Sequence, residues 1–447
     1  MRIFKIRLIR IVLFFAIFFI LNGIVTFLLE EKAARQTEMF KSYRSEEDID
    51  LCIIGSSVVY CGFNPYMLDA LLNRRSFDLA TPSQPIKEAR RLLEMAIATK
   101  KIKSAYIVCT PDTFSTKSSR EIMKMERIIS KENHLPAYRQ ICATALFITK
   151  EKLFDTANSV FFLFPWTYHN IPISPSNIIK NIRRKITGKF ESEKLKYVGK
   201  GHWISDKQTD YNNITDFTKT FTTDASLDYS SIELDKICTL CKENNIDFFV
   251  FAPPYTVYDV LAWKDEYVEK MMQLKSFFAE RNVEYYDFNF IKPEIFKSEE
   301  QYFIDFQHMN SAGADAFTSA FAKFLQMRAA GEDMEQYFYT PEEYFASIDY
   351  ISAVNLSVVQ KEDTLNFDAE AYCGSLVVPE YQFLIKEAGE TAFSVIKDYG
   401  KESNLSFAPL KSGSYDVRVN ARIEGTDTEF DRYNKKTIVF REKRGKR

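Results

Sequence analysis

From Ile11 to Leu29 the chain runs 19 residues without a charged side chain. As a helix this run rises about 28 Å, enough to cross the hydrocarbon core of a bilayer. Arg2, Lys5, Arg7 and Arg10 precede it and Glu30 and Glu31 follow. The positive-inside bias then leaves the short N-terminus in the cytoplasm and everything after Glu30 outside. A cleaved signal peptide is the competing reading. Its apolar stretch usually spans only about 7–15 residues, and no small-x-small site follows directly here. The expectation is an uncleaved, single-pass anchor in the cell membrane over residues 1–30, then a charged stalk over 31–48 that lacks sustained apolar periodicity.

The remaining length is enough for two domains in a chain of 447 residues. Apolar residues make up 46% and charged residues 27%, a globular composition, and a formal charge of -2 gives no drive toward nucleic acid. Seven cysteines, odd in number and sparse, do not make a disulfide framework. Cys238 and Cys241 form one CxxC with no second pair and no histidine nearby, which argues against zinc. Neither a metal nor a cofactor is expected.

From Asp50 onward, short apolar runs alternate with helical periodicity. Strands are expected at Leu51–Ile54, Phe77–Leu79, Ala105–Cys109, Asp247–Ala252 and Glu284–Asp287. Helices are expected at Pro65–Leu72, Ile86–Thr99, Ser230–Glu243, Trp263–Arg281 and Ser311–Met327, the last with Asn310 as its N-cap. This pattern predicts an α/β domain over 49–330, a doubly wound parallel sheet of five strands covered on both faces. Residues 151–223 break the rhythm with Pro165, Trp166, His169, Pro172 and Pro175, basic Lys180–Lys185, and then Lys200, His202 and Trp203. They read as an insertion, either a substrate-facing loop or a surface embellishment. After Tyr350 the period changes to two. Tyr415, Val417, Val419, Ala421 and Ile423 alternate with polar residues, and Leu376–Val378, Gln382–Ile385, Phe393–Ile396 and Thr437–Phe440 fit the same plan. A small antiparallel β-sandwich is expected over 350–441, with Tyr372, Tyr381 and Tyr415 as core or surface residues. The basic tail 442–447 reads as a solvated terminus.

Two short motifs carry chemistry. The first strand runs into Gly55-Ser56-Ser57, which puts Ser57 at the carboxyl edge of an open sheet, where such folds bind ligands. Far downstream, Ile304-Asp305-Phe306-Gln307-His308-Met309-Asn310 stands just before the last helix. A serine hydroxyl needs an imidazole to take its proton, and the imidazole needs a carboxylate to hold its tautomer. Asp305 and His308 can supply both, in a chain with only four histidines. Each motif taken alone also fits a turn or a surface pair.

Together, the strand–GSS–helix start, the series of βα units and the DxxH before the final helix resemble the SGNH (GDSL-like) hydrolase superfamily, over about residues 49–328. GSSVVYCGFNP and DFQHMNSAGADAF look like its membrane-anchored DltD-like and alginate-acetylation-like members. The resemblance implies an SGNH or flavodoxin-like sheet, with Ser57 as nucleophile and Asp305 and His308 completing a triad. The family also takes oxyanion donors from the serine amide, a glycine after the second strand and an asparagine after the third. Here those places read Ala80-Thr81-Pro82-Ser83-Gln84 and Thr110-Pro111-Asp112, so Ser83 or Gln84 would have to join Ser57 as donor. The implied activity is a serine esterase or O-acyltransferase on a cell-surface glycan, without cofactor, with a multi-spanning membrane O-acyltransferase as the natural partner. A lipid esterase is a variant of this reading. The rival is a non-catalytic, glycan-binding scaffold that keeps the fold.

Overall fold

The computed structural model describes residues 2–30, 34–110, 127–128, 166, 171–187, 195–212, 214 and 227–441. It opens with helix α1 (Arg2–Leu29), which holds the apolar run. Within Ile3–Leu29 an 18-residue window reaches a mean hydropathy of 2.7, so the helix is long and apolar enough to cross a membrane, and none of that window is buried against the protein. Helix α2 (Ala34–Ser45) follows and corrects the expected stalk. Its Met39, Phe40 and Tyr43 are buried in the main core, and the Tyr43 hydroxyl meets the Thr99 hydroxyl at 2.7 Å. Three apolar residues on one short strip suffice for docking but are too few to show as a periodic signal.

The α/β domain continues with β1 (Leu51–Gly55), α3 (Ser57–Gly62), α4 (Pro65–Leu72), β2 (Ser76–Ala80), α5 (Ile86–Thr99) and β3 (Ser104–Val108). Next come α6 (Pro175–Thr187), a hairpin of β4 (Lys196–Gly199) and β5 (His202–Ile204), α7 (Leu227–Glu243) and β6 (Asp247–Ala252). Helices α8 (Val257–Ala262) and α9 (Lys264–Ala279), strand β7 (Tyr285–Asp287) and helix α10 (Ser311–Ala329) complete it. The sheet has five parallel strands in the order β2-β1-β3-β6-β7. Every residue of β1, β2 and β3 is buried, as parallel strands covered on both faces require. Because the order reverses beside β1, a crevice forms at the carboxyl ends of β1 and β3, the switch point where open α/β sheets take ligands.

The phenylalanines pack much of this core. From α10, Phe321 lies 5.0 Å from Phe63 and 5.1 Å from Phe251, and Phe324 lies 5.0 Å from Phe288, ring centre to ring centre. These offset and edge-on contacts are the favoured aromatic geometries. Cys238 and Cys241 sit buried and unbridged on α7.

Helix α11 (Pro341–Ser347) leads into β8 (Ile351–Lys361), β9 (Thr364–Cys373), β10 (Pro379–Glu387), β11 (Ser394–Gly400), β12 (Asn404–Phe407), β13 (Gly413–Ile423) and β14 (Arg432–Phe440). They form two antiparallel sheets, β11-β10-β13-β14 and β12-β9-β8. Leu356, Phe367, Phe383, Val417 and Val419 from both sheets share a second apolar core. Leu376–Val378 is not a strand. Leu376 is exposed and the Val377 amide donates to the Gly374 carbonyl, so the segment is the reversal between β9 and β10. Tyr372, Tyr381 and Tyr415 are buried. Pro165, His169, Pro111, Asp112 and the tail 442–447 lie outside the described residues.

Candidate active site

Strand β1 ends at Gly55, where an added Cβ would come within 2.6 Å of the Val108 Cβ and 2.7 Å of the Val59 Cγ2. Only glycine lets β3 and the following turn close this tightly. Ser56 is extended, and Ser57 opens α3, a helix absent from the sequence expectation, which placed the next helix only at Pro65. Its six residues are too few to show a helical period. Ser57 thus stands at the head of a helix on the carboxyl edge of β1, with its own amide in the first turn, where helix amides have no intrahelical acceptor.

The second half of the site comes from the loop before α10. Phe303 bridges to Met309, and the Ile304 amide donates to the His308 carbonyl at 2.8 Å. The Phe306 carbonyl accepts from the Thr256 amide and hydroxyl at 3.0 and 2.9 Å. Asn310 caps α10 by accepting from the Gly313 amide at 3.0 Å, while its side-chain amide donates to the Gln301 carbonyl at 2.6 Å. These bonds close the loop on itself and tie it to the helix.

Across 251 positions of sequence, His308 Nε2 lies 2.7 Å from Ser57 Oγ. His308 Nδ1 lies 2.9 and 2.8 Å from the two carboxylate oxygens of Asp305. Asp305 Oδ1 also accepts from the Gln307 and His308 amides at 3.1 and 2.9 Å. Burial alone would raise the Asp305 carboxyl, but the His308 ring and the two amides outweigh it and hold the group below its ordinary range. An ionised Asp305 keeps the proton on Nδ1 and leaves Nε2 to accept the serine proton. The three residues predicted from their motifs are therefore brought together in hydrogen-bonding order.

The predicted oxyanion donors fare differently. Gln84 is buried, and its amide nitrogen donates to the Leu79 carbonyl and the Thr81 hydroxyl at 3.2 and 3.3 Å. It is occupied in closing the β2–α5 turn, which corrects its assignment as a donor. Ser83 is exposed at the apex of that turn with φ 48°, and no hydrogen bond joins it to Ser57 among the described residues. Of the proposed set, the Ser57 amide alone keeps a suitable place.

Two further residues meet on α3 and α2. Tyr60, one turn along α3 from Ser57, is buried. Arg35 of α2 donates from Nη1 to the Tyr60 hydroxyl at 2.6 Å, and its guanidinium lies 5.5 Å from the Tyr60 ring centre and 5.8 Å from that of Trp203. Burial pushes the Tyr60 phenol up to about 12 in spite of Arg35, so it stays protonated and able to donate. The spacing of 57 and 60 would have paired them on a helix, had one been expected there. His202 plays a different part: its Nδ1 meets the Tyr60 carbonyl at 3.0 Å, burial pushes the ring down, and it fastens β5 to α3. Among the described residues no three of His, Cys, Asp and Glu are placed to hold a metal.

No family model matches the chain, and no curated protein matches it. Among solved structures, a candidate acylhydrolase from Bacteroides fragilis aligns over 67% of this chain and 99% of its own, at 8% identity and a TM-score of 0.33. A GDSL-like lipase from Bacteroides thetaiotaomicron aligns over 64% and 95%, at 6% identity and a TM-score of 0.31. A gut microbial diltiazem-metabolizing enzyme aligns over 83% and 68%, at 10% identity and a TM-score of 0.22. Scores this low leave the functional reading to the geometry of the site.

Proposed function

We propose that the chain is a membrane-anchored serine esterase or O-acyltransferase of the SGNH kind, acting outside the cytoplasm on a cell-surface polysaccharide or related glycan. The observation that carries this reading is the 2.7 Å contact between Ser57 Oγ and His308 Nε2, with Asp305 behind the ring. Ser57 Oγ attacks the acyl carbonyl and passes its proton to His308. The tetrahedral intermediate collapses as His308 returns the proton to the leaving alcohol, and the acyl group stays on Ser57. A sugar hydroxyl or water then attacks, gives its proton to His308, and releases the ester or acid as Ser57 recovers its proton.

Location supports a glycan made or exported at the same membrane. Arg35 follows Leu29 by six residues, at most about 22 Å of chain, and touches Tyr60 beside Ser57. The nucleophile therefore stands near the outer end of α1. Helix α6 also grips that end, with Asn181 Nδ2 donating to the Leu28 and Glu30 carbonyls at 3.0 Å each, contacts that cleavage of α1 would remove. A multi-spanning membrane O-acyltransferase that hands acyl groups to Ser57 is the partner this arrangement suits.

The full-length chain in detergent, incubated with a fluorophosphonate probe or p-nitrophenyl acetate, should be labelled or acylated at Ser57. Ser57→Ala should abolish the signal, and His308→Asn should cut the rate by at least about a hundredfold. An unlabelled parent chain would instead favour the scaffold reading, for which the engaged Gln84 is the specific support.

A further inference from the structure

Helix α6 is fastened to the C-terminal end of α1. Besides the Asn181 bonds to the Leu28 and Glu30 carbonyls, Lys185 donates to the Phe27 carbonyl, and its ammonium lies 5.0 Å from the Phe27 ring centre. Ahead of α6 in the chain, Trp166 Nε1 donates to Asn22 Oδ1 at 2.7 Å. Asn22 precedes Leu29 by seven residues, about 10 Å along the helix axis. Trp166 and α6 are thus tied to the stretch of α1 that enters a bilayer, and Trp166 stands in the interfacial zone where tryptophan is enriched.

At about 100° per residue, α6 presents three faces. Asn181 and Lys185 share the one turned to α1. Ile179 and Ile186, seven residues apart, share a second face and are 66% and 75% exposed. Lys180 and Arg183 are exposed beside them, and no carboxylate pairs with either among the described residues. Four basic residues and no acidic one occur from 171 to 187.

Single exposed isoleucines are ordinary on a protein surface. Two on one helical face, flanked by unpaired cations and bonded to the end of a membrane-crossing helix, match a helix lying in the bilayer surface. The cations suit lipid phosphates whose headgroups carry no compensating positive charge. Resting on the membrane-anchored reading above, we propose that α6 is an interfacial helix, which buries Ile179 and Ile186 among acyl chains and holds anionic phospholipid headgroups with Lys180 and Arg183. A single crossing helix is free to rotate and tilt, and interfacial anchors set both. This contact therefore fixes how the α/β domain stands on the bilayer.

The test places p-benzoylphenylalanine at Ile17, Ile179, Ile186 or Leu376, one at a time, in the full-length chain. Each protein is irradiated in nanodiscs of equal parts phosphatidylcholine and phosphatidylglycerol, and lipid adducts are measured by mass spectrometry. Ile17 reports the anchor, and Leu376, exposed between β9 and β10, reports the background. Ile179 and Ile186 should give adducts well above Leu376, with phosphatidylglycerol favoured at least about fivefold. Lys180→Gln combined with Arg183→Gln should bring that preference near parity at an unchanged melting temperature. Adducts at Ile17 with Ile179 and Ile186 at background overturn the interfacial helix and spare the anchor. Adducts at all three positions without a phosphatidylglycerol preference, or with one that the double variant keeps, overturn the headgroup assignment. Background signal at Ile17 sinks the anchored reading and this inference with it.

Discussion

Ser57 meets His308 through Nε2, and the helix that carries Ser57 is backed by Tyr60, whose hydroxyl accepts from Arg35. The His308 side was legible in the sequence because each partner sits inside a compact motif, GSS after a strand and DxxH before a helix. The Tyr60 side was not. Tyr60 reads as a core aromatic, and Arg35 lies on a segment whose few apolar residues concealed its docking. Gln84 misled because a polar residue near a strand end looks available until the turn consumes it. The Arg35 bond to Tyr60 ties α2 to the short helix that carries Ser57, so the pair acts on Ser57 by holding its position. Tyr60→Phe should therefore slow fluorophosphonate labelling on the order of tenfold to a hundredfold, less than the roughly 10²–10³ lost with a dedicated oxyanion donor. Arg35→Met should act in the same direction and Arg35→Lys less so, with the melting temperature showing that the fold is intact. Labelling of Tyr60→Phe at the parental rate would reduce the pair to packing.

At the scale of elements, the five strands were readable because parallel strands buried on both faces appear as continuous apolar runs. Elements of six residues or with a single docking strip, such as α3 and α2, fall below any periodic signal. Strand β2 carries a feature its pattern does not announce: Asp78 is fully buried and neither carboxylate oxygen has a partner among the described residues. Burial first, and then neighbouring Asp69, raise its carboxyl well above the ordinary value, with Lys200 opposing. The native state thus holds a proton that the unfolded chain releases above its unperturbed value of about 3.9. Stability is full below that pH and declines as pH rises toward the raised native value, by up to about 1.4 kcal/mol per unit. Asp78→Asn keeps the shape and removes the titration. Urea midpoints of parent and variant at pH 5 and pH 7.5 should show the variant's advantage growing with pH. An advantage independent of pH would mean Asp78 is ionised in the folded protein.

The whole molecule joins two apolar cores: Ala353 and Tyr372 pack from β8 and β9 into the main core, and polar groups stand beside them at the joint. Asn434 of β14 is fully buried and donates from Nδ2 to the Ile214 carbonyl at 2.6 Å and to Val354 of β8 at 3.0 Å. Ile214 belongs to the main core, whereas Val354 belongs to the β core. Beside it Arg432 donates to the Ser352 carbonyl at 2.9 Å and pairs with Glu300. Composition and periodicity separated the two regions at the change from helical to alternating pattern, but one asparagine in an alternating strand carries no mark that it reaches across a boundary. Removing it strands two buried carbonyls, at roughly 1–3 kcal/mol each. Asn434→Ala should therefore loosen the junction more than either core. Asn420→Ala is the control, because Asn420 is equally hidden but bonds Gln382 within its own sheet. In limited proteolysis with calorimetry, Asn434→Ala should cut faster near residues 348–350 and split one unfolding transition into two. Asn420→Ala should lower a transition without splitting it. If both variants keep a single transition and parental cleavage near 348–350, the joint is not maintained by Asn434, and the Arg432–Glu300 pair with the apolar packing of Ala353 and Tyr372 holds it instead.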